Sequence, residues 1–194
     1  MKLLEQRIAK DGIVINNDIL KVDSFLNHKI DVALTRALAK EIAEQFKNYK
    51  IDKIFTIETS GIPLAFAVAE EVGNVPLVFA KKSKSLTVGD DVFKVEVKSF
   101  TRKTCSTVTV GDKYLLKGEN VLIIDDFLAE GNASIGLVDL CHQAGANPIG
   151  VAVAIEKGFQ PGRGKLEAMG LKVYSCADVK AFKDNKPVFE LLNI

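Results

Sequence analysis

The pattern of hydrophobic and polar residues along this chain predicts alternating strands and helices. Short aliphatic runs without polar alternation are typical of strands buried on both faces. Such strands are predicted at 53–57, 76–79, 121–124, 149–155 and 171–175. Helical segments are predicted at 3–10, 31–46, 62–72, 132–140 and 165–169, and Asp31 is predicted as the N-cap of the second. Strands that alternate with helices imply an α/β fold with a doubly wound, mainly parallel sheet and right-handed crossovers.

Weaker patterns fill the rest of the chain. A brief strand is predicted at 13–15, and the mixed apolar and amide residues of 16–28 predict a partly buried loop. Pro148 is expected to break the chain before the strand at 149–155, and a last edge element is expected at 188–192.

The stretch from Val121 to Ser134 carries the strongest chemical signal. Asp125 and Asp126 lie where the aliphatic strand is expected to end, and a small-residue loop containing Gly131 follows. Asn132 and Ser134 are candidate N-caps for the next helix. Such a helix N-terminus can bind a phosphate, and the carboxylates can accept hydrogen bonds from ribose hydroxyls. The alternative is an ordinary strand–helix turn with two solvated aspartates.

Three further turns are expected at the same carboxyl edge of the sheet, where α/β proteins bind ligands. They contain, in order, Thr59-Ser60-Gly61, Lys81-Lys82 and Glu156-Lys157. Hydroxyl groups, backbone N–H groups and cations at one edge suit a ligand that has phosphates at both ends of a ribose.

The least compact part of the chain is the segment from about 81 to 111. Phe93, Val95 and Val97 alternate with charged residues, which predicts a half-exposed strand, and a turn is predicted at 101–103. We therefore expect a projecting β-ribbon. A long excursion of this kind is usually functional, and an exposed hairpin at a dimer contact is a compatible alternative.

Composition narrows the range of functions. The chain has 194 residues, of which 47% are hydrophobic, and this suits one α/β domain. Lys and Arg number 26 against 25 Asp and Glu, so no global charge favours nucleic acid or membrane binding. Three widely spaced cysteines argue against a disulfide framework or a zinc site. No signal peptide or membrane span is expected, and the cytoplasm is the expected location.

The 121–134 stretch resembles the phosphoribosyl-pyrophosphate loop of the type I phosphoribosyltransferases. That loop usually ends in Thr-Gly-Gly-Thr or a similar sequence, whereas this chain has Glu130-Gly131-Asn132-Ala133. A glutamate beside a phosphate is tolerable if its backbone N–H makes the contact. The segments 20–28 and 156–163 resemble the bacterial branch of the family that acts on xanthine. The resemblance covers essentially the whole chain.

The resemblance implies a single domain, 1–194, with a hood at about 1–30 and a flexible ribbon at about 81–111. It also implies a role for each candidate residue. The catalytic residues would be Asp125 and Asp126. The residues that bind phosphoribosyl pyrophosphate would be Ala129, Glu130, Gly131, Asn132, Ala133, Ser60, Gly61, Lys81 and Lys82. The purine would contact Leu20, Asn27, Lys157 and Phe159. In this family the turn at 59–61 can hold a cis peptide bond.

Each role has a simpler alternative. Thr59 or Ser60 could be an ordinary helix N-cap, and Lys81 and Lys82 could be solvated. Lys157 could be a surface lysine paired with Glu156, and Phe159 could be a core residue. Leu20 and Asn27 could be ordinary loop residues.

The function implied is transfer of a 5-phosphoribosyl group to N9 of xanthine, with Mg²⁺ accompanying the donor. Closure of 83–107 over the site would exclude water. A homodimer is expected, with no nucleic acid or membrane partner. The alternatives are a hypoxanthine, guanine or adenine phosphoribosyltransferase, or a non-catalytic transcriptional regulator that senses phosphoribosyl pyrophosphate.

Overall fold

A parallel five-stranded sheet forms the centre of the computed structural model, which describes residues 2–82, 91–98 and 105–190. The described residues form the strands β1 (Ile13–Ile15), β2 (Ile19–Lys21), β3 (Lys53–Ile57), β4 (Leu77–Ala80), β5 (Val92–Lys98), β6 (Cys105–Gly111), β7 (Asn120–Leu128), β8 (Asn147–Lys157), β9 (Lys172–Val179), β10 (Ala181–Lys183) and β11 (Lys186–Val188). Its helices are α1 (Leu3–Asp11), α2 (Val32–Phe46), α3 (Ile62–Glu71), α4 (Asn132–Ala144) and α5 (Gly162–Ala168). The central sheet has the order β4-β3-β7-β8-β9, and this confirms the predicted fold class.

Hydrophobic clusters cover both faces of the sheet. Leu122 and Ile124 of β7 pack in the cluster that contains α1, α2 and α3. Val121 and Ile123 pack in the other cluster, with α4, α5 and the β5–β6 ribbon. All four side chains are fully buried, and burial of each stabilises the fold by about 1.5–3 kcal/mol. This two-sided burial explains why the run shows no polar alternation.

Strand β7 is longer than the sequence pattern predicted. Asp125 and Asp126 lie within it and not at its end, because β8 continues to pair with it as far as Leu128. On its other side, β3 pairs with β7 only as far as Phe55 opposite Ile123. The last part of β7 therefore has a partner on one side only, and the turn after β3 lies beside it.

The N-terminal segment forms more structure than the predicted loop at 16–28. Strands β1 and β2 form an antiparallel hairpin, and a short π-helical turn covers Asp23–Asn27. Asn16 and Asn17 have φ angles of 53° and 50°, the left-handed conformation that tight hairpin turns require. The sequence prediction missed this turn because an Asn-Asn pair is a weaker signal than Asn-Gly.

Pro148 lies inside β8 and does not break the chain, which corrects the prediction. The pairing of β7 with β8 shifts register here, since Val121 opposes Pro148 while Leu122 opposes Gly150. A bulge at the start of a strand is one of the few positions in a sheet that tolerate proline.

The C-terminal part also departs from prediction. Helix α5 begins at Gly162, three residues before the predicted start at 165, and β9 extends to Val179. The strands β10 and β11 form a hairpin where one edge element was predicted at 188–192. Residues 191 and 192 lie outside the described residues.

The predicted ribbon is present as the antiparallel pair of β5 and β6. The side-chain amide of Gln143 on α4 contacts the backbone of Lys94, accepting from its N–H at 3.3 Å and donating to its carbonyl at 3.0 Å. On the other edge, the backbone of Thr109 pairs with Lys81. The ribbon is thus held at its base, while residues 83–90 and 99–104, including the predicted turn, lie outside the described residues.

No helix in the described ranges combines the length and the apolar character that crossing a membrane would require.

Candidate active site

Asp125 is buried against the turn between β3 and α3. A Cβ atom on Gly61 would lie 3.1 Å from Asp125 Oδ1 and would overlap Thr56 Oγ1, so a glycine is needed at this close approach. The preceding Glu58–Thr59 peptide is cis. Gly61 itself is the N-cap of α3 and no described side chain caps this helix, so the alternative of a Thr59 or Ser60 cap is wrong.

The two aspartates form an electrostatically coupled pair. Burial raises the pKa of Asp125 well above its ordinary value, and the charge of Asp126 raises this pKa further, while Lys82 opposes the shift. The backbone N–H of Asp126 donates to Asp125 Oδ1 at 2.9 Å. Burial and the neighbouring carboxylate both disfavour the charged form of Asp125.

The loop after β7 turns sharply at Gly131, which has a φ of 84° and is the N-cap of α4. Asn132 and Ser134 do not cap the helix as predicted, because the helix has already begun at Asn132 and Ser134 is buried in its first turn. Gly131, as the N-cap, has no side chain that could cap α4. The N-terminus of α4 beside Ala133 carries the positive partial charge that favours an anionic ligand.

The charge of Glu130 is compensated within the structure. The ammonium group of Lys165 donates to the backbone carbonyl of Glu130 at 2.9 Å and lies 3.4 Å from its carboxylate. The backbone N–H of Gly162 donates to the carbonyl of Ala129 at 3.0 Å. Helix α5 thus contacts two consecutive peptide groups of this loop.

The N-terminal hood reaches the sheet edge at two points. Asn27 Nδ2 donates to Asp126 Oδ2 at 3.0 Å, which brings a predicted purine contact to a predicted ribose contact. Lys157 Nζ donates to the backbone carbonyl of Asp18 at 2.8 Å. Leu20 follows two residues later in β2, and its side chain is buried.

Lys157 is buried with 7% of its surface exposed, and burial lowers its pKa. Glu156 pairs with Arg163 and not with Lys157, so the alternative of a surface Lys157–Glu156 pair is wrong. Phe159 is 48% exposed and packs edge-on against Phe182, so it is not a core residue. The Phe182 ring centroid also lies 5.7 Å from Lys157 Nζ, so the half-buried ring of Phe182 contacts both Lys157 and Phe159.

Lys81 and Lys82 follow β4 at the same edge. The backbone N–H of Lys82 donates to the carboxylate of Glu58 at 2.6 Å, which joins this segment to the turn that carries Ser60. Lys82 is exposed, and Lys81 is half-buried at the base of the ribbon. The charge of Lys82 acts on Asp125, so this segment lies near the last part of β7.

Sequence reasoning missed the contacts made by Arg163. Its guanidinium group makes a two-point ion pair with Glu156, whose side chain is 2% exposed, and it contacts the carbonyl of Val173 at 3.1 Å. These partners lie on β8 and β9, so no local spacing could reveal them. One signal was present, since Glu156 lies at the end of a strand that was predicted to be buried, where a carboxylate needs a cationic partner.

The described residues contain no group of three or more His, Cys, Asp or Glu side chains that could hold a metal ion. Any divalent cation at this edge would therefore need ligands from a substrate in addition to carboxylates.

Comparisons with known proteins agree with this geometry. The model of the phosphoribosyl transferase domain matches residues 21–184. The xanthine phosphoribosyltransferase of Laribacter hongkongensis is 49% identical over 97% of this chain and 100% of the relative. The enzyme of the same name from Clostridioides difficile is 51% identical over 97% and 98%, respectively.

Solved structures share the fold. The Giardia lamblia adenine phosphoribosyltransferase complexed with 9-deazaadenine has a TM-score of 0.76 and 25% identity, covering 90% of this chain and 97% of that one. The Trypanosoma brucei enzyme solved with AMP, pyrophosphate and ribose-5-phosphate has a TM-score of 0.77 and 19% identity, covering 98% and 86%. The chain therefore belongs to the phosphoribosyl transferase domain family.

Proposed function

We propose that this protein transfers the 5-phosphoribosyl group of phosphoribosyl pyrophosphate to N9 of xanthine, forming xanthosine 5′-monophosphate and pyrophosphate. Full-length identity of 49–51% to xanthine phosphoribosyltransferases supports this reaction. The observation that carries it in the structure is the 3.0 Å contact between Asn27 and Asp126. The bond being formed joins base to ribose, so groups that hold each of them must be adjacent.

On the donor side, Asp125 and Asp126 hold the ribose hydroxyls. Negative charge on these carboxylates stabilises the cationic character that develops at the ribose ring as pyrophosphate leaves. The backbone from Ala129 to Ala133 binds the 5-phosphate at the N-terminus of α4. Ser60 and Gly61, with Lys81 and Lys82, bind the pyrophosphate. Fixing both reactants in one geometry supplies a large part of the rate enhancement.

On the base side, Lys157 donates to the 6-oxo group of the purine. A buried cation favours an oxopurine, because the amino group of adenine would leave it without an acceptor. Asn27 donates to the 2-oxo group that distinguishes xanthine from hypoxanthine. Phe159 stacks on the base, and Leu20 supplies an apolar wall beneath it.

Bound Mg²⁺ would supply positive charge to the pyrophosphate leaving group of phosphoribosyl pyrophosphate. Asp125 and Asp126 fit this role, because Mg²⁺ is commonly held by one or two carboxylates together with substrate phosphates.

Residues 1–194 act as one domain, with the hood at about 1–30 and the ribbon at about 81–111. We further propose a twofold homodimer, since this is the commonest oligomer among soluble proteins. We place the protein in the cytoplasm. The cysteines at 105, 141 and 176 are free, which fits the reducing conditions there.

The test is a direct assay with phosphoribosyl pyrophosphate, Mg²⁺ and each of xanthine, hypoxanthine, guanine and adenine. Chromatography of the products reports which nucleotide forms. We expect the highest kcat/KM with xanthine. Preference for another base would overturn the substrate assignment, and absence of turnover with every base would overturn the enzymatic function.

A further inference from the structure

Helix α5 lies between the two halves of the proposed site and contacts both. Toward the donor side, its first residue packs backbone to backbone against the phosphate loop, since a Cβ atom on Gly131 would lie 3.0 Å from Gly162 Cα. A side chain on Gly162 would in turn overlap the carbonyl of Ala129. This close backbone packing ties the position of α5 to that of the loop.

The carbonyls of Ala129 and Glu130 both point toward α5, where Gly162 N–H and Lys165 Nζ bind them at 3.0 and 2.9 Å. In a trans peptide, the carbonyl and the following N–H point in opposite directions. The N–H groups of Glu130 and Gly131 must therefore point away from α5. This is the arrangement that a backbone phosphate site needs, and it makes Glu130 acceptable through its peptide group.

Toward the base side, Arg163 holds the loop that carries Lys157 and Phe159. Its Nε donates to Glu156 Oε1 at 2.8 Å, and a second nitrogen pairs with the other carboxylate oxygen. It also contacts the hydroxyl of Ser175 at 3.3 Å. Glu156 directly precedes Lys157, and Arg163 directly follows Gly162. One ion pair therefore fixes both ends of the base loop.

We propose that Arg163 is a positioning residue shared by the two substrate sites. Through Glu156 it fixes the base loop, and through the neighbouring Gly162 it fixes the carbonyl of Ala129 in the phosphate loop. Lys165, by contrast, acts on the donor side alone. The inference rests on the proposed function, because it takes the two loops as the base and phosphate sites.

Substitution of Arg163 by Lys tests the proposal, since Lys keeps the charge but loses the planar two-point pairing. We expect the KM values for xanthine and for phosphoribosyl pyrophosphate both to rise about tenfold, with a smaller change in kcat. Lys165→Met should raise only the KM for phosphoribosyl pyrophosphate, by about threefold.

Arg7 provides a matched control. Its side chain is 33% exposed, against 32% for Arg163. Arg163 pairs with Glu156 and Glu167, and Arg7 likewise pairs with two carboxylates, Asp11 at the end of α1 and Asp31 before α2. Arg7→Lys should lower the melting temperature about as much as Arg163→Lys does, and it should leave both KM values unchanged.

The proposal is overturned if Arg163→Lys changes one KM value or neither, or if Arg7→Lys reproduces both changes. If Arg163→Lys does not fold, Glu156→Gln weakens the same pair and is judged by the same criterion. Should the wild-type enzyme prefer another purine, the variants are compared on that base, so that the substrate assignment and the role of Arg163 fail separately.

Discussion

The proposed donor half and the proposed base half of the site are built in different ways. The donor half centres on one continuous stretch from Asp125 to Ala133, in which a strand, a glycine turn and a helix follow one another. The base half combines Asn27 with Lys157, and the two are 130 residues apart in sequence. The first is determined by local conformation, whereas the second depends on how the hood packs on the sheet. The two halves should therefore respond differently to substitution.

Asp126→Asn should cause the largest loss, because it removes the accessible negative charge on the donor side. We expect kcat/KM to fall by about 10²-fold or more with every purine. Steady-state kinetics measure this loss. Asp139→Asn on α4 is the control, and it should retain near wild-type activity. A loss confined to one base would contradict the assignment of Asp126 to the donor.

Lys157→Met should affect only the base half. The Met side chain keeps the apolar stem but cannot donate to the 6-oxo group, so the KM for xanthine should rise about tenfold or more. The KM for phosphoribosyl pyrophosphate should stay constant. Lys172→Met on β9 provides the control lysine. Equal rises in both KM values would argue that the two halves are not separable at Lys157.

Asn27→Ala should reduce selectivity more than rate. Without the amide, we expect the preference for xanthine over hypoxanthine to fall about tenfold. Competition assays with both bases measure the ratio, with Asn147→Ala as the control amide. Unchanged selectivity would remove Asn27 from the base site.

Asp125→Asn should raise stability in a pH-dependent manner. Burial and Asp126 raise the folded-state pKa of Asp125 above its ordinary 3.8. The stability of the wild type therefore falls as the pH rises from the ordinary pKa through the folded-state pKa. Asn cannot ionise, and its melting temperature should exceed that of the wild type by about 2–4 °C at about pH 8. The difference should vanish near about pH 4. A constant difference across this range would show that ionisation is not its cause.

Glu130→Gln should have the smallest effect, because the peptide group of this residue and not its carboxylate faces the proposed phosphate. We expect the KM for phosphoribosyl pyrophosphate to change by less than about threefold. A large decrease in this KM would indicate that the carboxylate repels the bound phosphate.

Local sequence was sufficient for much of the molecule. The aliphatic run at 121–124 correctly indicated a strand buried on both faces, because a residue pattern records burial directly. Asp31 was correctly predicted as an N-cap, and its side chain accepts from Leu34 N–H at 3.1 Å. Asp125 and Asp126 were placed at the sheet edge by the same reasoning, although the strand extends past them.

Tertiary structure alone decided the remaining features. Lys157 and Asp18 meet because the hairpin of the hood folds over β8, and no spacing in the sequence encodes that contact. Likewise, the sequence alone does not show how a phosphate loop tolerates Glu130. In the fold, Lys165 on α5 lies beside its carboxylate and compensates its charge. The sequence determined which segments become strands, helices and tight turns, since these depend on neighbouring residues. Long-range packing determined which charges are paired and which groups face the ligand, since these depend on residues far apart in the chain.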